Sequence, residues 1–155
     1  MNGSPVPAAR ISLLLLCLVL GACQPADERP GQWLSGTLKP YPQDWTFAAP
    51  VPEIALQVST PYLIPHSVTI WCAVLDGALY VAAARPETKH WPGWVDKDPN
   101  VRIRIGEDLF DVRLVPLEDE ALVRRVLAVQ AEKYGFDMPA GPTGSRYWRV
   151  TPRSG

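Results

Sequence analysis

Three cysteines and two histidines carry most of the reactive chemistry in this sequence, and their surroundings decide what each can do. Cys23 directly follows Leu20-Gly21-Ala22 and an apolar run, which presents a sulfur behind small residues. Cys17 lies within that run, and Cys72 lies inside a second apolar stretch, where it reads as a small buried hydrophobe rather than a reactive thiol. His66 stands alone as a structural side chain. His90 has only Glu87 near it, three residues earlier in a loop, so no metal site is expected. The chain has no Gly-x-Ser-x-Gly elbow and no glycine-rich phosphate loop ahead of a helix, and no residue is identifiable as a general acid or base. Two kinds of chemistry are left: covalent attachment at Cys23, and whatever a bound group brings.

The amino terminus must position Cys23. Arg10 is the single charge before the apolar run Ile11–Leu20, which as a helix would rise only about 15 Å. That is half of the roughly 30 Å bilayer core, so residues 1–22 read as a signal peptide rather than a membrane span. Leu20-Gly21-Ala22-Cys23 resembles the bacterial lipobox, which implies diacylglycerol on the Cys23 sulfur and cleavage before it. Gln24 stands where an aspartate would favour the inner membrane. The resemblance thus implies a lipid-anchored place in the cell envelope, on the outer membrane facing the periplasm. Residues 23–44, rich in proline and polar side chains, read as the lipidated cysteine with a flexible tether, and 45–155 as one domain. With Cys17 removed and Cys23 lipidated, Cys72 has no intramolecular disulfide partner.

A formal charge of −1 and a pI near 6.1 give no basic stripe, and nucleic acid is not expected as a partner. The elements follow from pattern. Ile54–Ser59 reads as a strand, and the two prolines of Thr60–Pro65 make an extended loop. Ser67–Leu75 and Ala78–Ala84 around Asp76-Gly77 form a type I′ hairpin. Trp91–Pro99 holds one irregular helical turn. Asn100–Gly106 alternates strictly, with Val101, Ile103 and Ile105 on one face, and turns at Glu107-Asp108 into Leu109–Val115. Acidic residues 118–120 open a helix whose stripe runs through Leu122, Val123, Val126, Leu127 and Tyr134, flawed by Gln130, and which stops at Gly135. A buried Gln130 would need a hydrogen-bond partner. Arg146–Pro152 is the last strand. The order predicts an α+β, mainly β fold: a small antiparallel split β-barrel with one packed helix.

From Pro65 to Tyr134 the chain resembles the split β-barrel superfamily of flavin and deazaflavin proteins, the pyridoxamine 5′-phosphate oxidase-like group. The carriers are Asp76-Gly77-Ala78-Leu79-Tyr80-Val81, then Lys89 and Trp91, then Asp98-Pro99-Asn100-Val101-Arg102-Ile103. The resemblance implies a cofactor phosphate held by polar and basic residues at strand ends, in a dimer cleft and hence a homodimer. It places Ser67 and Lys89 first at that site, with Arg85 and His66 after them. Arg supplies a bidentate fork, Lys a point charge and Ser a hydroxyl. Arg85 and Lys89 are equally readable as solvated loop charges. Trp91 and Trp94, flanking Pro92-Gly93, either stack on a planar ligand or plug one barrel end.

The sequence departs from this group in lacking an arginine-rich strand start and a twin-arginine export signal. Any FMN would then have to be acquired outside the cytoplasm. The expected ligand is accordingly FMN, a deazaflavin or another planar phosphorylated molecule, with an empty barrel as the other outcome. A flavin-type group would make the domain an oxidoreductase, the redox chemistry belonging to the cofactor. The competing expectation is a non-catalytic envelope lipoprotein that uses the barrel for protein or lipid interaction.

Overall fold

The computed structural model describes residues 31, 33–141 and 143–153, so Cys23 and the signal segment lie outside the described residues. Eight strands make one curled sheet: β1 Thr37–Lys39, β2 Ile54–Val58, β3 His66–Ile70, β4 Cys72–Leu75, β5 Ala78–Ala84, β6 Asn100–Ile105, β7 Asp108–Pro116 and β8 Ser145–Pro152. Their order is β3-β2-β6-β7-β8-β5-β4, antiparallel throughout, with β1 added in parallel to β7. Two helices complete the fold, α1 Trp91–Lys97 and α2 Glu120–Tyr134. This is the α+β, mainly β split barrel that the element order predicts.

Period-two patterning builds the interior. Val101, Ile103 and Ile105 of β6 face inward with Leu56 and Val58 of β2, Phe110, Val112 and Leu114 of β7, Leu79 and Val81 of β5, and Trp148 of β8. The alternate residues Tyr80 and Tyr147 point outward, where Val126 and Leu127 of α2 cover them. β5 is therefore buried on both faces, which is why its sequence reads as a continuous apolar run rather than an alternation. Asp119 caps α2 by accepting from the Ala121 and Leu122 amides at 2.9 and 3.3 Å, and Gly135, at φ 69°, ends it. Trp91 and Val95 of α1 join the barrel core, with Trp91 5.1 Å from Trp148. A fork from Arg146 to Asp96, at 2.8 and 2.6 Å, ties α1 to β8.

Three expectations are corrected. The strand read as Ser67–Leu75 is two: β3 pairs with β2 and β4 with β5, and the chain changes partner at Trp71. A run of β-branched and aromatic residues favours extension but does not fix which neighbour it pairs with. The Asp76-Gly77 turn stands as expected, with both residues at positive φ (52° and 72°). The second turn sits one residue earlier, at Gly106-Glu107, because Gly106 supplies the positive φ (58°) and Asp108 already pairs with Ile105. The packed domain also reaches further toward the amino terminus than the tether read from composition. Leu34 is buried against Ala55 and Leu109, and β1 pairs with β7.

Trp148 is wholly buried at the centre of this core, so Trp148→Ala should cost about 3–5 kcal/mol. Arg125→Ala, which breaks an exposed ion pair with Asp76, should change stability by less than about 0.5 kcal/mol. Urea unfolding of the two variants checks the contrast.

Candidate functional site

The sheet curls but does not close evenly. Pairing of β4 with β5 ends at Cys72 and Val81, whereas β5 runs on to Ala84, and β3 pairs with β2 alone. Between the side of Ala82–Ala84 that β4 leaves uncovered and the side of β3 away from β2 lies a groove of roughly 960 Å³. Val68 and Ile70 form one wall and Ala82–Ala84 the other, and α1, the Leu127–Gln130 turn of α2 and the loop through Phe136 and Pro139 frame it. The lining is mostly apolar, with a few polar groups set in it, as ligand pockets generally are.

One of those polar groups is out of place energetically. Gln130 is 4% exposed, it lines the groove, and its Nε2 has no hydrogen-bond partner. A buried amide donor left unpaired costs about 1–3 kcal/mol, so a carbonyl or ring-nitrogen acceptor in the groove would relieve a standing penalty.

The mouth of the groove is organised by Trp71. Its ring stacks on Tyr134 at 4.2 Å and 11°, with Phe136 beyond at 6.2 Å. The Tyr134 hydroxyl accepts from the Cys72 amide at 3.0 Å and lies 2.9 Å from the Cys72 carbonyl and 2.8 Å from that of Pro52, to which it donates. Burial is the main cause that pushes the Tyr134 pKa up to about 12. The end of α2 is thereby clamped to the residue where the chain changes sheet edge. Lys133 Nζ reaches the Cys72 carbonyl at 3.0 Å and Sγ at 3.5 Å, but burial dominates and raises the thiol pKa, which keeps Cys72 a packed hydrophobe.

The structure brings four of the six expected ligand residues to this groove: His66, Lys89, Trp91 and Trp94. Lys89 Nζ donates to the Ala84 carbonyl at 2.5 Å, at the open end of the alanine wall. Trp94 is held by two histidines, His66 edge-on at 5.4 Å and His90 nearly parallel at 5.8 Å. Trp91 is buried on the barrel side, so it forms floor rather than a free stacking face. Ser67 and Arg85 are not brought in. Ser67 is buried opposite Gln57, on the other face of β3 from His66, and its amide donates to the Gly31 carbonyl at 2.8 Å. Arg85 is exposed in a left-handed turn (φ 48°) and does not line the groove.

Residues that sequence reasoning missed are Ile70, Trp71, Phe136 and the alanine wall. Only Gln130 left a signal, as the polar break in an apolar stripe. Among the described residues no group of three His, Cys, Asp or Glu side chains comes together.

A curled antiparallel sheet split between two of its edges, with a groove in the split, is a split β-barrel fold. The chain belongs to the family described as "Uncharacterized protein conserved in bacteria (DUF2255)", whose family model matches residues 53–146. Among solved structures it is similar to a conserved hypothetical protein of Mycobacterium tuberculosis, with TM-score 0.53 and 18% identity over 66% of this chain and 73% of that one. It is also similar to a candidate pyridoxamine 5′-phosphate oxidase of Listeria innocua, with TM-score 0.51 and 19% identity over 66% and 85% of the two chains. The haem storage protein HutZ of Vibrio cholerae is a third, with TM-score 0.53 and 15% identity over 67% and 83%. At these identities the likeness is one of fold. No curated protein matches the sequence.

The Tyr134 clamp gives the alkaline behaviour a sign. Its folded pKa, about 12, lies above the roughly 10 of an unfolded tyrosine, so its contribution is fully present below about pH 10 and is lost as pH rises through about 12. Tyr134→Phe should cost about 1–2 kcal/mol at neutral pH and flatten the loss of stability over that alkaline window. Unfolding midpoints measured across the range for both proteins check it.

Proposed function

We propose that the groove in the split holds a planar ligand of flavin type, FMN or a deazaflavin, on a domain tethered to the membrane through lipid on Cys23. The observation that carries this reading is the unpaired Gln130 Nε2, a buried donor on a residue that lines a mostly apolar groove. Walls of Val68, Ile70 and three alanines suit a flat ring, and Gln130 would donate to a carbonyl on its edge. The charged and titratable groups at the groove are Lys89, His66, His90, Asp137 and Tyr147, an inventory that suits one anionic group and not a dinucleotide. Lys89 would take the phosphate, giving up the Ala84 carbonyl. When bound, a flavin-type group supplies redox chemistry, and this chain's residues orient it and exclude water. The names of the structural relatives, an oxidase candidate and a haem storage protein, are in keeping with a planar ligand in this fold.

The location is part of the proposal. The lipobox-like Leu20-Gly21-Ala22-Cys23 and Gln24 support an outer-membrane anchor facing the periplasm, and a homodimer is part of the same reading. A second reading, an interaction module without a cofactor, has one observation in its favour. Beyond its ladder to β2, β3 pairs with no further strand, and the last residues of β5 lack a strand partner on the side away from β8, so an extended peptide could add there.

The test is absorbance and mass spectrometry of the natively purified chain, then titration with FMN and with a deazaflavin. Stoichiometric binding is expected, weakened at least tenfold, about 1.4 kcal/mol, by Lys89→Ala and by Gln130→Leu. The second variant should also raise the stability of the ligand-free protein by about 1 kcal/mol, because it removes the unpaired donor. No binding by either route, with Gln130→Leu merely neutral, would leave the interaction module as the surviving reading.

A further inference from the structure

The loop between β2 and β3 carries three consecutive large apolar residues outward. Tyr62, Leu63 and Ile64 are 75%, 93% and 50% exposed, and residues 59–65 contain no charge. The loop is built rather than slack. Pro61 and Pro65 bracket it, Thr60 Oγ1 donates to the Ile64 carbonyl at 2.6 Å, and the Leu63 amide donates to the Thr60 carbonyl at 3.3 Å. At its apex Leu63 takes a left-handed conformation, φ 64°, which a branched side chain adopts at a cost and glycine would adopt freely. No side-chain packing within the fold repays that cost, since the Leu63 side chain is almost wholly in solvent. Asp98 sits at the loop's base, where it accepts from the Ser59 hydroxyl at 3.0 Å.

The amino-terminal chain enters the fold beside this loop. The Gly31 carbonyl accepts from the Ser67 amide, two residues beyond Pro65, and the Leu34 amide donates to Gln57 Oε1 at 2.7 Å. Trp33, 70% exposed, lines the same shallow groove as Thr60, Leu63 and Pro65. From Cys23 to Gly31 the chain can span at most roughly 28 Å. A lipid on Cys23 would therefore keep the Gly31 end of the fold within roughly 28 Å of the bilayer.

We propose that the Tyr62-Leu63-Ile64 tip, with Trp33, dips into the headgroup region of a phospholipid surface and fixes the orientation of the barrel on it. The inference rests on the tethering reading above. Tyrosine and tryptophan suit that depth, each having an apolar body and a polar handle, while Leu63 and Ile64 reach toward the acyl chains. The anchor supplies residence and the tip supplies orientation, since a loop of this size would bind lipid only weakly by itself.

The test uses the full chain, expressed with its signal in a Gram-negative host, extracted from membranes and reconstituted into vesicles of phosphatidylethanolamine in excess over phosphatidylglycerol. Leu63→Cys and Glu107→Cys are each labelled with an environment-sensitive fluorophore. Glu107 lies in the turn at the other end of β6 from the loop, and the buried Cys72 does not compete for label. The expected result is a blue-shifted Leu63 probe quenched several-fold more by nitroxide-bearing lipids than the Glu107 probe. A lipid on Cys23 by mass, with both probes reading water, would overturn the inference and leave the tether standing. Absence of lipid on Cys23 would remove the tether and the inference with it. A blue shift at Leu63 without nitroxide quenching would assign the tip to a second copy or another protein and overturn it as well.

Discussion

A curled sheet has two edges, and the rest of this structure depends on how the chain disposes of them. β3 and β4, the two ends of the strand order, are consecutive in sequence and separated only by Trp71. One residue thus carries the chain from one edge to the other, and the sheet is drawn into a barrel without a long connection. Closure is incomplete because β5 outruns β4. The last three residues of β5 and β3 do not pair with each other, and a mostly apolar groove lies between them. Free edges invite pairing with another chain, and here α1 and the loop after α2 stand over them. The groove is the residue of a topological choice, framed afterwards by whatever the helices could reach.

The clamp at Trp71 follows from the same constraint. A strand that changes partners must break its ladder, and at the break the Cys72 amide donates to the Tyr134 hydroxyl and the Cys72 carbonyl accepts from Lys133 Nζ instead of a neighbouring strand. The stacked Trp71–Tyr134–Phe136 face shields that substitution from water on one side. α2 thereby has two tasks, covering Tyr80 and Tyr147 along the outer wall and satisfying the seam at its own carboxyl end. Its polar break at Gln130 falls between these tasks, over the groove.

Much of the fold was legible because it rests on local rules. Alternation in β6, the Asp76-Gly77 turn, and the cap and stop of α2 are written in residues that touch near neighbours in sequence. What could not be read depends on distant partners. Nothing in Ser67–Leu75 marks Trp71 as a seam, since an apolar β-branched run suits either partner equally. The site was half legible for the same reason. Lys89, Trp91, Trp94 and His66 converge because the loop after β5 folds back past β3. Ser67 does not, because period two sends it to the opposite face of β3 from His66, beside Gln57. Gln130 was visible as an anomaly but not as a wall of a groove, since that requires knowing which strands fail to meet.

The wall formed by Ala82, Ala83 and Ala84 sets how the groove can be resized. Methyl side chains leave the strand's own backbone as the surface a ligand would meet, so the width of the gap is fixed by main chain rather than by rotamers. Replacing one methyl with an isopropyl group would narrow the opening while the ladder to β8 continued to hold the strand in place. Ala83 packs in the barrel core and Ala82 under α2, so the exposed Ala84 is the position that can be traded between small and branched residues, and a single scaffold could be fitted to thin or thick occupants without altering its topology.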